Sequence, residues 1–207
     1  MSWLAGHAGI ILSRTLEHLA LAGISFTIAL AIAVPLGVFA ARRRRVGLPL
    51  IAALDAVYTI PSLALLAMLI PVLGLGFWTA VTALVAYAQI ILVRNVISAL
   101  ESVPPWMVDA ARGLGMTPLQ ILARVELPIG VPVAIAGARV AAVSIIAIAS
   151  VAAWIDAGGL GALIFDGIER QDIRLIAAGT FGIAAIALVA DAALRVLERR
   201  LTKRGAG

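Results

Sequence analysis

Leu19 to Ala41 is a run of 23 residues without a charged side chain, and it stops abruptly at Arg42-Arg43-Arg44-Arg45. About 20 apolar residues suffice to cross the hydrocarbon core of a bilayer. A segment of this kind, with a cationic stop, therefore directs the chain into a membrane. Four further apolar stretches come after it. Leu48 to Gly74 is interrupted by Asp55, Pro61 and Pro71, and Phe77 to Leu100 carries Arg94 near its end. Leu127 to Ile155 holds Arg139, and Ile173 to Val196 holds Asp191. Only 13% of the 207 residues are charged, against about 25% in soluble domains, and mean hydropathy is +1.10. An ordinary soluble enzyme, a disordered tail and a nucleic-acid-binding module are excluded. The expectation is an all-α polytopic membrane protein with five transmembrane helices.

The cations give this arrangement a direction. The net charge is +5, and the pI near 11.0 would suggest nucleic acid in a soluble protein. Here the positive-inside rule accounts for it. With the four arginines in the cytoplasm, the N-terminus lies outside and the C-terminus inside. Twelve of the 16 cations then fall on inner segments: Arg42 to Arg45, Arg94, Arg112, Arg124, Arg195, Arg199, Arg200, Lys203 and Arg204. Trp3, Trp78 and Trp154 fall at the outer interface, where aromatic belts sit. The expected organisation is an outer, interfacial segment over 1–18, one transmembrane domain over 19–200, and a basic cytoplasmic tail over 201–207. No basic region precedes the first apolar run, so no cleavable signal peptide is expected.

Chemistry of the usual enzymatic kinds is absent from the sequence. There is no cysteine, hence no thiolate or disulfide. His7 and His18 are the only histidines, and no H-E-x-x-H occurs. No metal centre and no catalytic residue is expected. The chain also lacks G-x-x-x-x-G-K-[ST], so it has no phosphate-binding loop for ATP.

The inner loop over 101–126 is the informative polar segment. Pro104-Pro105 ends the third span, and Pro105 suits the first turn of a new helix. That helix meets Gly113 and Gly115. Thr117-Pro118-Leu119-Gln120 then has the pattern of a capping box, opening a second helix that runs to Pro128. The whole is long and ordered for a simple connector.

Within this loop stand Asp109-Ala110-Ala111, three residues, Gly115, nine residues, Val125, one residue, and Leu127-Pro128. The spacing resembles the EAA loop of ABC-importer permeases, E-A-A-x3-G-x9-I-x-L-P, with Asp for Glu and Val for Ile. Ile60-Pro61-Ser62-Leu63-Ala64, the stretch Ala110 to Pro118 with Arg112, Gly113 and Met116, Val125-Glu126-Leu127-Pro128, and Ala157-Gly158-Gly159-Leu160-Gly161 are similar to the osmoprotectant branch. That branch serves importers of glycine betaine, carnitine and choline. The resemblance implies a type I importer permease fold in a bacterial cytoplasmic membrane, working by alternating access. It implies two ABC ATPase subunits carrying ATP and Mg²⁺, a second permease copy or similar permease, and an external solute-binding protein. The loop would be the lever that the ATPases move. A permease for another small solute, such as an amino acid, and a self-sufficient secondary transporter are the alternatives.

Two further groups are candidates for function. Asp55 and Arg139 lie about 10 and 16 Å from the cytoplasmic ends of their spans at 1.5 Å per residue, a comparable depth at which they can pair; the alternative is that Arg139 lines the translocation path or its inner gate. Arg94 and Asp191 are expected to anchor at the inner interface. Gly158, Gly159 and Gly161 mark either a plain glycine-rich loop or part of an outer gate. The small-residue run Ala134 to Ala153 serves close helix packing, between two permeases or within one.

Overall fold

The computed structural model describes the backbone of residues 2–205, and the side chains except those of 2–5, 44 and 202–205. The side chains of Trp3, Arg44, Lys203 and Arg204, and the last two residues of the tail, thus lie outside the described residues. Nine α-helices account for most of the described residues, and no strand occurs among them. They are α1 (Ser2–Arg42), α2 (Arg44–Thr59), α3 (Ser62–Leu73), α4 (Phe77–Glu101), α5 (Pro105–Gly113), α6 (Pro118–Ile121), α7 (Leu127–Ala149), α8 (Leu160–Glu169) and α9 (Ile173–Gly205). Four helices are long and apolar enough to cross a membrane, or five if the bent pair α2–α3 counts as one span.

The α2–α3 break follows from one residue. Pro61 lacks an N–H and disfavours helical backbone at the residue before it; Ile60 is accordingly extended, with ψ 127°. The two helices meet at 98°. A helix end at membrane depth must find partners for its carbonyls, and the Tyr87 hydroxyl of α4 donates to the Ile60 carbonyl. The expected interruption at Pro61 is therefore a sharp corner, whereas Pro71 is accommodated inside α3.

The core is built around α4, which packs between α1 and α7. Leu84, Tyr87, Ala88 and Val93 of α4 meet Leu21, Ala29 and Ala33 of α1 and Ala138, Ala141 and Ile145 of α7, all buried. Gly137 shows why small residues crowd α7: a Cβ there would lie 1.9 Å from Asn95 Cγ of α4. At this point the small-residue run serves packing within the chain. By contrast α9 lies at the periphery, with Phe181, Leu188 and Val189 more than two-thirds exposed.

The N-terminal segment departs from expectation. Rather than a separate interfacial helix ending at His18, it is continuous with the first span in a single 41-residue α1. No glycine or proline breaks the chain between Gly9 and Gly23, and the polar residues Glu17 and His18 find partners in the fold. His18 is fully buried, its Nε2 3.1 Å from the Ile146 carbonyl of α7.

Candidate functional site

The loop between α4 and α7 folds as the pattern predicts, and its backbone shows how. Pro105 opens α5. The helix closes in a Schellman motif: Met116 N–H donates to Ala111 O at 3.1 Å and Gly115 N–H to Arg112 O at 2.9 Å. Gly115 occupies the left-handed position, with φ +78°. One residue after Met116 the capping box is complete. The Thr117 hydroxyl accepts from Gln120 N–H at 3.3 Å, and the Gln120 side-chain oxygen accepts from Thr117 N–H at 2.8 Å. Two helices are thus locked at a fixed angle by hydrogen bonds within the loop itself.

The second helix does not stop at Pro128. α6 passes through a π-helical turn, Leu122–Glu126, straight into α7. Pro128 sits at the start of α7, where its ring continues the run into the fourth span. The loop is thereby rigidly fused to a transmembrane helix.

Its outward surface mixes charge with apolar groups. Asp109 and Arg112 form an exposed pair at 3.0 Å. Trp106, Leu114 and Leu119 are 69%, 83% and 73% exposed, large apolar side chains presented by a polar loop. Ala110 is exposed but Ala111 is buried, so only Ala110 leaves room for a neighbour. Ala111 packs inside the loop.

The membrane-depth charges pair differently from expectation. Asp55 does not meet Arg139; it bonds to Arg94 of α4. Arg139 instead reaches across to α9, with Nε 3.0 Å from Asp191 and Nη1 2.8 Å from Glu198, while Asp191 also accepts from Arg195 at 2.8 Å. Depth along separate helices is a sound criterion, but azimuth decides: α2 packs on α4, and α7 packs on α9. The residues expected to be mere anchors, Arg94 and Asp191, are the actual partners. Both halves of the Asp55–Arg94 pair remain about half exposed. At membrane depth such a surface belongs toward protein or water rather than lipid tails.

A cleft of about 340 Å³ is lined by Ala136, Arg139, Val140, Val143, Ser144 and Asp191. A larger groove of about 550 Å³ between α1, α7 and α9, lined by residues such as Leu19, Phe26, Ile146 and Leu194, offers no polar side chain.

At the opposite end from the loop, Ala157-Gly158-Gly159 turns the chain into α8. Gly158 and Gly159 have φ +76° and +83°. Gly159 N–H donates to Glu17 of α1 at 2.8 Å, and Glu17 is held by Arg14 at 2.8 Å. A Cβ on Gly161 would stand 1.9 Å from the Ser150 carbonyl. Trp78 and Trp154 are exposed at this same end, where Gly76 N–H bonds to Ile155 O at 2.8 Å.

Residues 33–203 match the family described as the binding-protein-dependent transport system inner membrane component. The chain belongs to that family. Among curated relatives, the osmoprotectant import permease protein OsmW of Salmonella typhimurium is 40% identical, over 98% of this chain and 97% of its own length. The choline transport system permease protein OpuBB of Bacillus subtilis is 35% identical, over 99% and 94%. A chain of the MetNI methionine ABC transporter, solved facing inward, has the same fold: TM-score 0.88 at 20% identity, covering 95% of this chain and 98% of that one. Membership accounts for the apolar helices and the ordered loop together.

Sequence reasoning missed two contacts in this family member. Arg42, a topology signal in the sequence, is bonded to Glu126, which is only 3% exposed and fills the unassigned position of Val125-x-Leu127-Pro128. Its one visible signal is a carboxylate at the junction of loop and span. The other contact, Glu17 with Gly159, joins positions 142 residues apart and has no local signature.

Proposed function

We propose that this chain is the permease subunit of an ATP-driven importer for osmoprotectants such as glycine betaine, carnitine or choline. The observation that carries this reading is the loop over 101–126, doubly capped, fused to α7 and presenting Trp106, Leu114 and Leu119. A rigid lever with an apolar tip suits docking to a separate ATPase, and the relatives named for osmoprotectants supply the solute class.

In this reading five spans, with α2–α3 as one broken span, place the N-terminus outside and the C-terminus in the bacterial cytoplasm. Residues 19–200 form one transmembrane domain, 1–18 its outer segment and 201–207 a basic tail. Two ATPase subunits bind ATP and Mg²⁺ and perform the hydrolysis. A second copy of this chain, or a similar permease, completes the pore, and an external binding protein delivers solute. Asp109, Ala110, Arg112, Gly113, Gly115 and Met116 form the lever, with Ala111 packed inside it, and Leu127-Pro128 joins it to α7. ATP binding closes the ATPases, the levers converge, and the pore opens outward; hydrolysis returns it inward. Gly158, Gly159 and Gly161 belong to the outer gate.

The test is uptake into vesicles holding the chain with and without its ATPase and binding protein. ATP-dependent accumulation of labelled glycine betaine, carnitine or choline is expected. Uptake without any ATPase would make it a secondary transporter, and uptake of amino acids alone would change the solute class.

A further inference from the structure

Helix α1 is bonded at two points, at its C-terminal residue Arg42 and at Glu17, 15 residues in from Ser2, to segments that the importer reading sets in motion. At one end Arg42 holds Glu126, the buried carboxylate at the base of the loop. Glu126 is the last residue of the π-helical turn Leu122–Glu126, a helix irregularity frequent at functional sites. At the other point Glu17 accepts the Gly159 amide at 2.8 Å, and His18 Nε2 lies 3.1 Å from the Ile146 carbonyl. Between Glu17 and Arg42 the helix is continuous, with Pro35 accommodated inside it. Twenty-five residues at 1.5 Å each place the two anchor points about 38 Å apart, slightly more than the ~30 Å hydrocarbon core.

Most of the buried positions of α1 are small residues, beside Leu21 and His18. Ala22, Ser25, Ala29, Ala33 and Ala40 are buried, and a Cβ on Gly37 would lie 2.6 Å from Val96. Small residues at such positions let neighbouring helices approach closely. Anchors at Glu17 and Arg42 on one continuous helix describe a segment that moves as one piece.

We infer that α1 is a strut transmitting displacement of the lever to the glycine turn on the opposite face, with Arg42, Glu126 and Glu17 as its positioning residues. The inference rests on the importer reading for the direction of its movement, but its mechanical content is independent of the solute. If the strut works in series, breaking either end disconnects it, and breaking the second end adds nothing. Two sites this far apart would otherwise contribute independently.

The chain has no cysteine of its own, so Trp154→Cys, at an exposed position near the turn, provides a unique reporter in the full chain. Glu126→Gln is expected to change its maleimide labelling rate at least threefold, and to have no such effect when Glu17→Ala is also present. An unchanged rate, or the same change in both backgrounds, overturns the strut. In the reconstituted complex, Glu126→Gln should lower osmolyte uptake at least fivefold while ATP hydrolysis stays within twofold. Exchange of the charges, Arg42→Glu with Glu126→Arg, should restore at least half of the uptake per ATP. Uptake and hydrolysis falling in parallel, with no rescue, also overturns the strut. A labelling response in a chain that shows no ATP-driven uptake upholds the strut and overturns the importer reading instead.

Discussion

Gly115 shows how much of a lever rests on one residue. Its φ of +78° lies where an L side chain is strained by roughly 1–2 kcal/mol, yet a Cβ there would touch nothing. The penalty of substitution is therefore conformational and not steric. Gly115→Asn, a residue that tolerates this backbone region, is expected to retain most transport. Gly115→Val should reduce it by roughly tenfold, the equivalent of about 1.4 kcal/mol, with membrane insertion unchanged. ATP-driven uptake, normalised to the amount of inserted protein, measures this, and equal activity of the two variants would refute the role assigned to the turn. The motif spacing alone identifies Gly115. The role of Glu126 is not legible there, because its burial depends on a partner 84 positions earlier in the chain.

At the scale of elements, the α7–α9 seam is held by Arg139 with Asp191 and Glu198. These charges satisfy one another, so each is expected to matter mainly in the presence of its partner. In a double-variant comparison, Glu198→Gln should lower the melting temperature of the detergent-solubilised protein. Its effect should be less than half as large once Arg139→Met is present. Equal effects in both backgrounds would mean that Glu198 stabilises α9 by some other contact. The helices themselves are readable from runs of apolar residues and from proline, and the capping box at Thr117 from four consecutive residues. The pairing of helices is not. Asp55 and Arg139 occur at similar depth, but a helix presents its side chains every 100°, and which face meets which neighbour is a matter of packing.

For the whole molecule, the bond from Arg42 to Glu126 brings the arginine cluster and the lever to one end, while the bond from Glu17 to Gly159 brings the glycine turn to the other. If the cations mark the cytoplasm, a membrane-impermeant maleimide applied to intact cells should label Trp154→Cys and leave Leu114→Cys unlabelled until the cells are opened. The reverse pattern would invert the orientation. The apolar spans, the helical class and the local form of the loop over 101–126 were all determined by the sequence itself, because each depends on residues adjacent in the chain and on transfer of apolar surface from water to lipid. The partners of the intramembrane charges, the continuity of α1 from Ser2 to Arg42 and its attachment to distant segments at Glu17 and Arg42 were decided only by the tertiary structure. Those features depend on which helix faces meet, and the apolar runs that insert a helix leave that choice to the detailed fit of small side chains and a few ion pairs.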